Sequence, residues 1–393
     1  MKPLSLLCLM IFVLAADAWT CSSSFIGQNS ITAYNINKTL YVDGQKYPTL
    51  QAAFADCGTG CIIDLSGSTG TSLSLGSFDP GAVPVEIRLG PHTYSVTQIT
   101  VRTGLHVIGC GKGCTFINQI RPTVAPFVLP NKGPLVAQHV LLQGFNLQAA
   151  SESSTDAISM VAAPAGGLWY STFQDLTIGS SAPFGRNALR FDSAAGGSPA
   201  ATNQFISIRD VFAFRAANAP PVLVIQGAYS GQFSIDASQF DAPYSPRESG
   251  GKNNCNIYVG DGGSTSWMPY SINMHNVTSQ WSWGPGSVAI CAYGVANLLV
   301  QGSHFEGDNG VFKGAIGAGG HGNWGTIIRD SYIATNSAIN GGNGFLANVD
   351  ANTSLLFQNN GFTGTPDHPF TGTTTYVTSD HNWNLSRGGP QPW

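Results

Sequence analysis

From about residue 138 onward, one pattern of apolar and polar positions recurs along the chain. Apolar residues alternate with polar ones, a small polar residue or glycine follows, and a further apolar pair closes the unit, as in VLLQGFNL at 140–147 and FQDLTI at 173–178. Intervals between the turn-like residues are 31, 35, 27, 39, 26, 28 and 29 residues, a mean of about 31. The turn-like residues of the eight units are Gly144, Asp175, Asp210, Ala237, Asn276, Gly302, Asp330 and Asn359.

A repeat of this length is typical of a solenoid, and alternation without a helical period indicates strands. Each unit has apolar residues for one coil only, so it becomes stable when it stacks on its neighbours. A β-sandwich would show turn signals every 8 to 12 residues and local hairpins. The pairs Asp43-Gly44 and Asp261-Gly262 lie outside the repeated strands. We therefore predict an all-β fold, a parallel β-helix of roughly ten coils.

The pattern in residues 41–128 predicts the first coils of this solenoid. Pro48 suits a first helical position, and Leu50, Ala53 and Phe54 fall on one face of a short amphipathic helix that stops at Gly58. Such a helix would cover the first coil. We assign 41–363 to the β-helix and expect 364–393, rich in Gly, Pro, Thr and aromatic residues, to form a tail that caps the last coil.

The N-terminus has the layout of a secretory signal peptide. Lys2 precedes an apolar run from Leu4 to Ala16, and a small-x-small triplet ends before Trp19. We expect residues 1–18 to be removed, 19–40 to form an extension, and the mature chain to be secreted, extracellular or periplasmic, with no membrane span. A lipid anchor on Cys21 is the competing interpretation.

The low charge content argues against some partners. Charged residues are 10% of the chain, Gly occurs 48 times, and the formal net charge is −4. Such a chain has no basic surface for a nucleic acid, and the scarcity of charges favours strands and turns over surface helices. The oligomeric state does not follow from the sequence.

Seven cysteines remain after the predicted cleavage. Export favours disulfides over zinc, and two Cys-x-x-x-Cys segments enclose glycines that let a tight loop close. We expect three disulfides and leave Cys21 odd; the alternative is that several cysteines stay reduced. The expected pairs are Cys57 with Cys61, Cys110 with Cys114, and Cys255 with Cys291.

Three segments resemble the pectate-lyase-like superfamily of right-handed β-helices, especially its branch with a rhamnogalacturonase or epimerase-like lyase domain. They are YPTLQAAFADC, RLGPHTYSV and GLHVIGCGKGCTFI, and the resemblance extends from about Tyr41 to about Phe362. It implies a right-handed solenoid and a polysaccharide partner, usually an acidic plant, algal or bacterial glycan. The superfamily also includes phage tailspikes and non-catalytic surface proteins, so the fold does not fix the activity.

Glycosidases need two carboxyl groups about 5 to 10 Å apart. The densest group of candidates is His304, Glu306 and Asp308, followed by His321 in a Gly-His-Gly segment similar to one in polygalacturonases. Alternation places Glu306 on the face of His304, and Asp308 would join them if the strand continued. The Asp-Asp pair of polygalacturonases is missing. These four residues are our candidate catalytic residues; the alternative is that they only end a strand.

Pectate lyases use an Arg or Lys base with calcium held by acidic residues. The corresponding candidates are Arg209 beside Asp210 and Arg329 beside Asp330. Neighbours in a strand point to opposite faces, so each pair converges only if a turn intervenes. Calcium would be the cofactor if the chain is a lyase; the sequence predicts no other cofactor or metal.

Several aromatic residues are candidates for sugar binding. Trp267, Tyr270, Trp281 and Trp283 gather around one coil, and an exposed ring suits the apolar face of a sugar. We select Trp281, Trp283 and Trp324 as candidate substrate-binding residues; core packing is the alternative. The sequence thus favours a polysaccharide lyase or glycoside hydrolase slightly over a non-catalytic glycan-binding surface protein.

Overall fold

The computed structural model describes residues 38–393 except for thirteen short segments. These segments are 44–45, 69–71, 131–135, 163–165, 194–201, 217–218, 243–254, 282–286, 307–309, 335–344, 364–368, 386–388 and, at the terminus, 391–393. The predicted signal peptide, the extension up to residue 37, Asp308 and Trp283 therefore lie outside the described residues.

The described chain is almost entirely β-structure, with one α-helix and one 3-10 turn. In chain order, the elements are β1 Thr39–Tyr41, α1 Leu50–Ala55, β2 Cys61–Asp64, β3 Ser72–Phe78, β4 Val85–Arg88, β5 Thr93–Thr100, β6 Leu105–Ile108, β7 Phe116–Gln119, β8 Phe127–Val128, β9 Ala137–Gln138, β10 Leu141–Gln148, β11 Ile158–Val161, β12 Leu168–Ile178, β13 Leu189–Asp192, β14 Asn203–Phe214, β15 Leu223–Gln226 and β16 Gly231–Asp236. They continue as β17 Gln239–Asp241, β18 Cys255–Gly260, β19 Tyr270–His275, β20 Thr278–Gln280, β21 Val288–Tyr293, β22 Ala296–Gln301, β23 His304–Glu306, β24 Gly310–Ala315, β25 Asn323–Arg329, β26 Tyr332–Ala334, β27 Phe345–Val349, β28 Thr353–Gln358, β29 Gly361–Thr363, β30 Phe370–Gly372, a 3-10 turn Thr374–Tyr376, β31 Val377–Asp380, β32 Trp383–Asn384 and β33 Gly389–Pro390.

The strands stack in parallel into three sheets, and the chain is a right-handed parallel β-helix, as predicted. Between β4 and β30, each coil contributes to the first, the second and the third sheet, and several long strands bend from one sheet into the next. The first sheet contains thirteen strands: β1, β2, β4, β6, β10, β12, β14, β16, β19, β22, β25, β28 and β31.

The core is a set of columns in which equivalent residues of successive coils lie on one another. In the first sheet, one inward column of eight consecutive coils is completely buried. Its members are Leu142, Phe173, Ile208, Ile235, Met274, Val300, Ile328 and Phe357. Because each side chain needs the coil above and below it for burial, the hydrophobic stabilisation belongs to the stack and not to one repeat.

The turn-like residues of the repeat form one corner, at which the chain leaves the first sheet for the second. All eight, from Gly144 to Asn359, have positive φ between 47° and 73°. This set is called the polar corner below. Gly, Asp and Asn adopt the left-handed region at low cost, so the sequence-based assignment of these turns is confirmed.

A side-chain ladder follows the polar corner inside the solenoid. The backbone N–H of Val277 donates to Ser303 Oγ at 3.2 Å, that of Ser303 to Ser331 Oγ at 3.2 Å, and that of Ser331 to Asn360 Oδ1 at 3.0 Å. The corner breaks the regular pairing between strands, and each of these side chains satisfies a donor that would otherwise be buried alone.

The N-terminal helix covers the first coil, as predicted, but its start differs. Helix α1 begins at Leu50, and the Thr49 hydroxyl accepts the N–H of Ala52, so Thr49 is the N-cap. Pro48 therefore lies before the cap, and its assignment to the first helical position is wrong, because the capping hydroxyl determines where the helix begins. Leu50 and Ala53 are buried, and Phe54 packs edge-on against Phe78 at 5.1 Å.

The three predicted disulfides are present. Cys57–Cys61, Cys110–Cys114 and Cys255–Cys291 have Cα–Cα distances of 5.2, 5.6 and 5.9 Å, all inside the usual range for a disulfide. The first two close loops within a coil, and the third joins neighbouring coils of the third sheet. Cys21 lies outside the described residues.

The C-terminal boundary differs from the prediction. In the segment assigned to a capping tail, β30, β31 and β32 pair in parallel with β27, β28 and β29 and continue all three sheets. The solenoid thus extends past residue 363 to Asn384. The sequence pattern does not reveal this coil, because the segment is rich in Gly, Pro and Thr and its strands are only two to four residues long. Strand β33 then pairs antiparallel with β32 at the open edge.

Within the described ranges, no helix is both long and apolar enough to cross a membrane.

Candidate functional site

Two of the four predicted catalytic residues lie together on the outward face of the second sheet. His304 and Glu306 occupy β23, and His304 Nε2 is 3.5 Å from Glu306 Oε2. Both side chains are 43% exposed, so a ligand in solution can reach them. The Gln280 side chain, one coil earlier, donates to Glu306 Oε2 at 3.1 Å, and the Tyr332 ring contacts His304 edge-on at 5.0 Å.

His321 lies at a different corner of the solenoid, before the strand β25 of the first sheet. The N–H of Gly317 donates to its carbonyl at 2.8 Å, and its Cβ lies against Gly294 beside the buried carboxylate of Asp261. Glu306 lies beyond the polar corner, in the second sheet. The structure therefore brings His304 and Glu306 together and places His321 apart from them.

A carboxyl group that sequence reasoning missed shares the column of Glu306. Asp241, the last residue of β17, pairs in register with Gln280, which pairs with Glu306. The two acids are thus two coils apart, about 9.6 Å along the stack. Each residue of this column lies four positions after its turn-like residue: Asp241 after Ala237, and Glu306 after Gly302. Aligning the repeats on that residue would have revealed the pair.

The environment of Asp241 differs sharply from that of Glu306. Asp241 is 4% exposed, and burial raises the pKa of its carboxyl group to about 7 although a hydrogen bond from Gln239 opposes the shift. Its Oδ1 atom is buried and has no hydrogen-bond partner among the described residues. A buried acid with a raised pKa therefore lies two coils from an acid that faces solvent.

The alternative candidates for a lyase are two pairs of neighbouring Arg and Asp residues. Both pairs lie at a turn, but only one of them is in close contact. Asp210 and Asp330 both belong to the polar corner, and Arg329 Nε lies 3.7 Å from Asp330 Oδ2. Asp210 instead pairs with Lys112 Nζ at 2.6 Å, while Arg209 is exposed. Among the described residues, no group of three or more His, Cys, Asp or Glu side chains is arranged to hold a metal ion.

The predicted aromatic residues are distributed over two faces. The backbone N–H of Trp281 donates to the Glu306 carbonyl at 3.1 Å, which places Trp281 beside the second-sheet column. Trp324 lies at the start of β25 with a 54% exposed surface, in the column of Ala296 and Tyr270. Trp267 is also exposed and stacks on Tyr229 at 6.3 Å. Trp324 therefore belongs to a surface separate from Glu306.

No family model and no curated protein matches this chain. Among solved structures it is similar to the catalytic unit of a GH87 α-1,3-glucanase from Streptomyces thermodiastaticus, with 13% identity, a TM-score of 0.44, and coverage of 92% of this chain and 71% of that one. The mannuronan C-5 epimerase A-module from Azotobacter vinelandii shares 12% identity over 76% of this chain and 91% of that one, with a TM-score of 0.38. A pectin methylesterase from Erwinia chrysanthemi shares 11% over 90% of each chain, with a TM-score of 0.32. At these values neither activity nor substrate carries over, and the fold of this chain rests on its own strand pairing.

Proposed function

We propose that this protein hydrolyses a polysaccharide, with Asp241 and Glu306 as the catalytic carboxyl pair. The observation that carries the proposal is the second-sheet column, in which a buried acid of raised pKa and a solvent-exposed acid lie two coils apart. Two carboxyl groups whose environments separate their protonation states are the usual acid and base of a glycosidase.

The chemistry assigns one role to each group. Asp241, whose pKa is raised to about 7 so that a large fraction carries a proton near neutral pH, donates that proton to the glycosidic oxygen as the bond to the anomeric carbon breaks. Glu306 accepts a proton from a water molecule that attacks the same carbon from the opposite face. The stacking distance of about 9.6 Å between the two coils lies near the upper end of the carboxyl spacing of about 6.5 to 9.5 Å that leaves room for such a water, and on this ground we infer inversion at the anomeric carbon. Gln280 orients the Glu306 carboxylate, and Asp241, which is 4% exposed, must become accessible to the glycosidic oxygen when the glycan binds.

The three disulfides support a location outside the cytoplasm, where thiols oxidise and extended glycans occur. The predicted signal peptide is consistent with this placement. We therefore propose an exported hydrolase that meets its polysaccharide outside the cell or in the periplasm.

The decisive test compares Asp241→Asn and Glu306→Gln with Glu152→Gln, a matched change at an exposed acid in the loop after β10. Each protein is incubated with a panel of uronate and neutral polysaccharides, and both new reducing ends and unsaturated products absorbing in the ultraviolet are followed. We expect the first two variants to lose about 100-fold or more in turnover, as for the loss of a general acid or base, and the control to keep it. Full activity of Glu306→Gln would refute the assignment, and ultraviolet-absorbing products would direct attention to Arg329 and Asp330.

The pH dependence gives a second check. Because Asp241 must be protonated to act as the acid, turnover should fall as the pH rises through about 7, the pKa to which burial raises this group. The Asp241→Asn protein should lose this descending limb along with most of its activity. A turnover that stays constant from pH 6 to pH 9 would contradict the role of Asp241.

A non-catalytic glycan-binding protein is the second candidate. The exposed Trp324, with Tyr270 in the same column, favours it, since exposed rings bind the apolar faces of sugars without any chemistry. Binding to a glycan of the panel, with neither reducing ends nor unsaturated products, would support this function over the hydrolase.

A further inference from the structure

The three disulfides differ in their exposure to solvent. In the Cys57–Cys61 and Cys255–Cys291 disulfides, every cysteine is at most 4% exposed. In the remaining disulfide, Cys110 is exposed and Cys114 is half-buried. A thiolate breaks a disulfide by attacking one of its sulfur atoms, so access decides which disulfide is reduced first. The Cys110–Cys114 disulfide is therefore the one that a dithiol in solution can reach.

The exposed disulfide closes the short loop Cys110–Cys114, whose middle residue is Lys112. A glycine stands on each side of Lys112, and the backbone N–H of Gly111 donates to the Gly144 carbonyl at 2.8 Å. The loop therefore lies over Gly144, where a Cβ would come within 3.2 Å of the Gly111 nitrogen. Because glycine leaves the backbone free, the disulfide restricts conformations that Gly111 and Gly113 would otherwise allow.

Lys112 joins coils that are far apart in the sequence. Its loop follows β6, whereas its Nζ atom donates to Asp210 Oδ1 at 2.6 Å, in the strand β14 three coils further along the stack. The same Nζ atom is 3.8 Å from Asp175 Oδ1, in the intervening strand β12, and 3.9 Å from the centre of the Phe212 ring. The Lys112 side chain is only 24% exposed, so solvent and salt screen these contacts less than those of a fully exposed lysine.

Phe212 connects this loop to the face of the candidate site. Phe212 pairs in register with Gln239 of the next coil, and the Gln239 side chain donates to the carboxyl group of Asp241. The contacts of Lys112 therefore end one coil away from the residues that surround the buried acid.

We propose that the Cys110–Cys114 disulfide and Lys112 form a redox-sensitive clamp on the second-sheet side of the polar corner. In the oxidised state, the closed loop holds Lys112 on Asp210 and Phe212 and so joins the coil of β6 to that of β14. A dithiol reductant transfers two electrons and two protons to the disulfide: the S–S bond breaks, two thiols form, and the dithiol becomes a cyclic disulfide. The open loop then releases Lys112, and the strands β12 and β14 open more often to solvent. The clamp goes beyond the proposed hydrolysis and does not depend on it.

The first measurement determines which disulfide is reduced. Free thiols of the native protein are blocked with N-ethylmaleimide, dithiothreitol is added in increasing amounts, and new thiols are labelled with iodoacetamide and located by mass spectrometry. We expect Cys110 and Cys114 to be labelled at a dithiothreitol concentration about tenfold lower than the buried cysteines require. Equal labelling of all three disulfides, or earlier labelling of another one, overturns the proposal.

The second measurement is amide hydrogen exchange before and after this selective reduction. We expect the amides of residues 175–178 and 210–214 to exchange about tenfold faster after reduction. Lys112→Met keeps the apolar stem and removes the charge, so its amides there should exchange equally fast in both redox states. Lys46→Met is the matched control, because Lys46 also lies over a ring, that of Tyr47 at 4.9 Å, but in no disulfide loop. It should leave the redox response unchanged.

The outcomes test the disulfide and the lysine separately. Unchanged exchange after reduction overturns the clamp, and so does a redox response that persists in full in Lys112→Met. A variant with both Cys110→Ser and Cys114→Ser should exchange like the reduced protein without any reductant, and exchange like the oxidised protein contradicts the proposal. Neither measurement uses turnover, so the clamp and the proposed hydrolase can each fail alone.

Discussion

Two bends of the solenoid have the same backbone conformation but very different residues. The polar corner uses Gly, Asp and Asn at six of the seven positions after Gly144, the exception being Ala237. A second bend lies at the other end of the first-sheet strands, where the chain enters that sheet. Its residues form a column that also has positive φ, between 50° and 70°. This column, the upstream bend, contains His139, Tyr170, Phe205, Gln232, Ser271, Asn297 and Gly325.

The difference shows two ways of holding a left-handed residue. At the polar corner, the local preference of Gly, Asp and Asn already favours it. At the upstream bend, bulky rings occupy a conformation that costs them about 1–2 kcal/mol each. Tyr170 stacks on Phe205 at 4.5 Å and on His139 at 5.7 Å, so contacts between coils stabilise what local preference opposes.

The largest expected effect is at the polar corner. In Gly144→Val, the new Cβ would lie 2.7 Å from the Gly109 carbonyl oxygen, at a φ of +73°. Steric overlap and backbone strain together should lower the free energy of unfolding by about 3 kcal/mol, measured by urea denaturation. Gly58→Val is the matched control, with a φ of +71° and open space around the Cβ, and should lose only about 1–2 kcal/mol. Equal losses in the two variants would show that close approach between coils contributes nothing at Gly144.

A smaller effect is expected at the upstream bend. Tyr170→Ala removes two stacked contacts while keeping the unfavourable φ, and should lower the free energy of unfolding by about 2 kcal/mol. Tyr170→Gly loses the same contacts but relieves the strain, so it should be more stable than Tyr170→Ala. If the Gly variant unfolds at a lower urea concentration than the Ala variant, the bend is not strained as argued.

The smallest effect is at Ala237, the exposed residue that departs from the polar corner's composition. Ala237→Gly should raise the free energy of unfolding by about 0.5–1 kcal/mol, because the relief of strain at a φ of +47° exceeds the entropy gained by the unfolded chain. Ala213→Gly, at a buried position with ordinary strand geometry, should instead destabilise the protein. A lower urea midpoint for Ala237→Gly would show that contacts between coils, and not local preference, hold the polar corner in its conformation as well.

The candidate site shows the same division between local and tertiary information. Alternation in GSHFEG correctly placed His304 and Glu306 on one face. The sequence predicts that His321 joins them from the next coil. In the structure, His321 lies where the chain enters the first sheet, before β25, whereas Glu306 lies after the chain has left that sheet, in β23. Asp241 is 65 residues before Glu306 in the sequence, and only the register of two further coils, set by loops of unequal length, makes it a neighbour.

The sequence alone determined the solenoid, the polar corner, the short-loop disulfides Cys57–Cys61 and Cys110–Cys114 and the covering helix. These features depend on residues close in the chain or on a period that repeats, and local preference and alternation report them directly. Tertiary structure decided the strained upstream bend, the extra C-terminal coil and the raised pKa of Asp241. Each of these arises from contacts between coils about 20 to 40 residues apart, where stacking and burial, and not the preference of any single residue, set the energy.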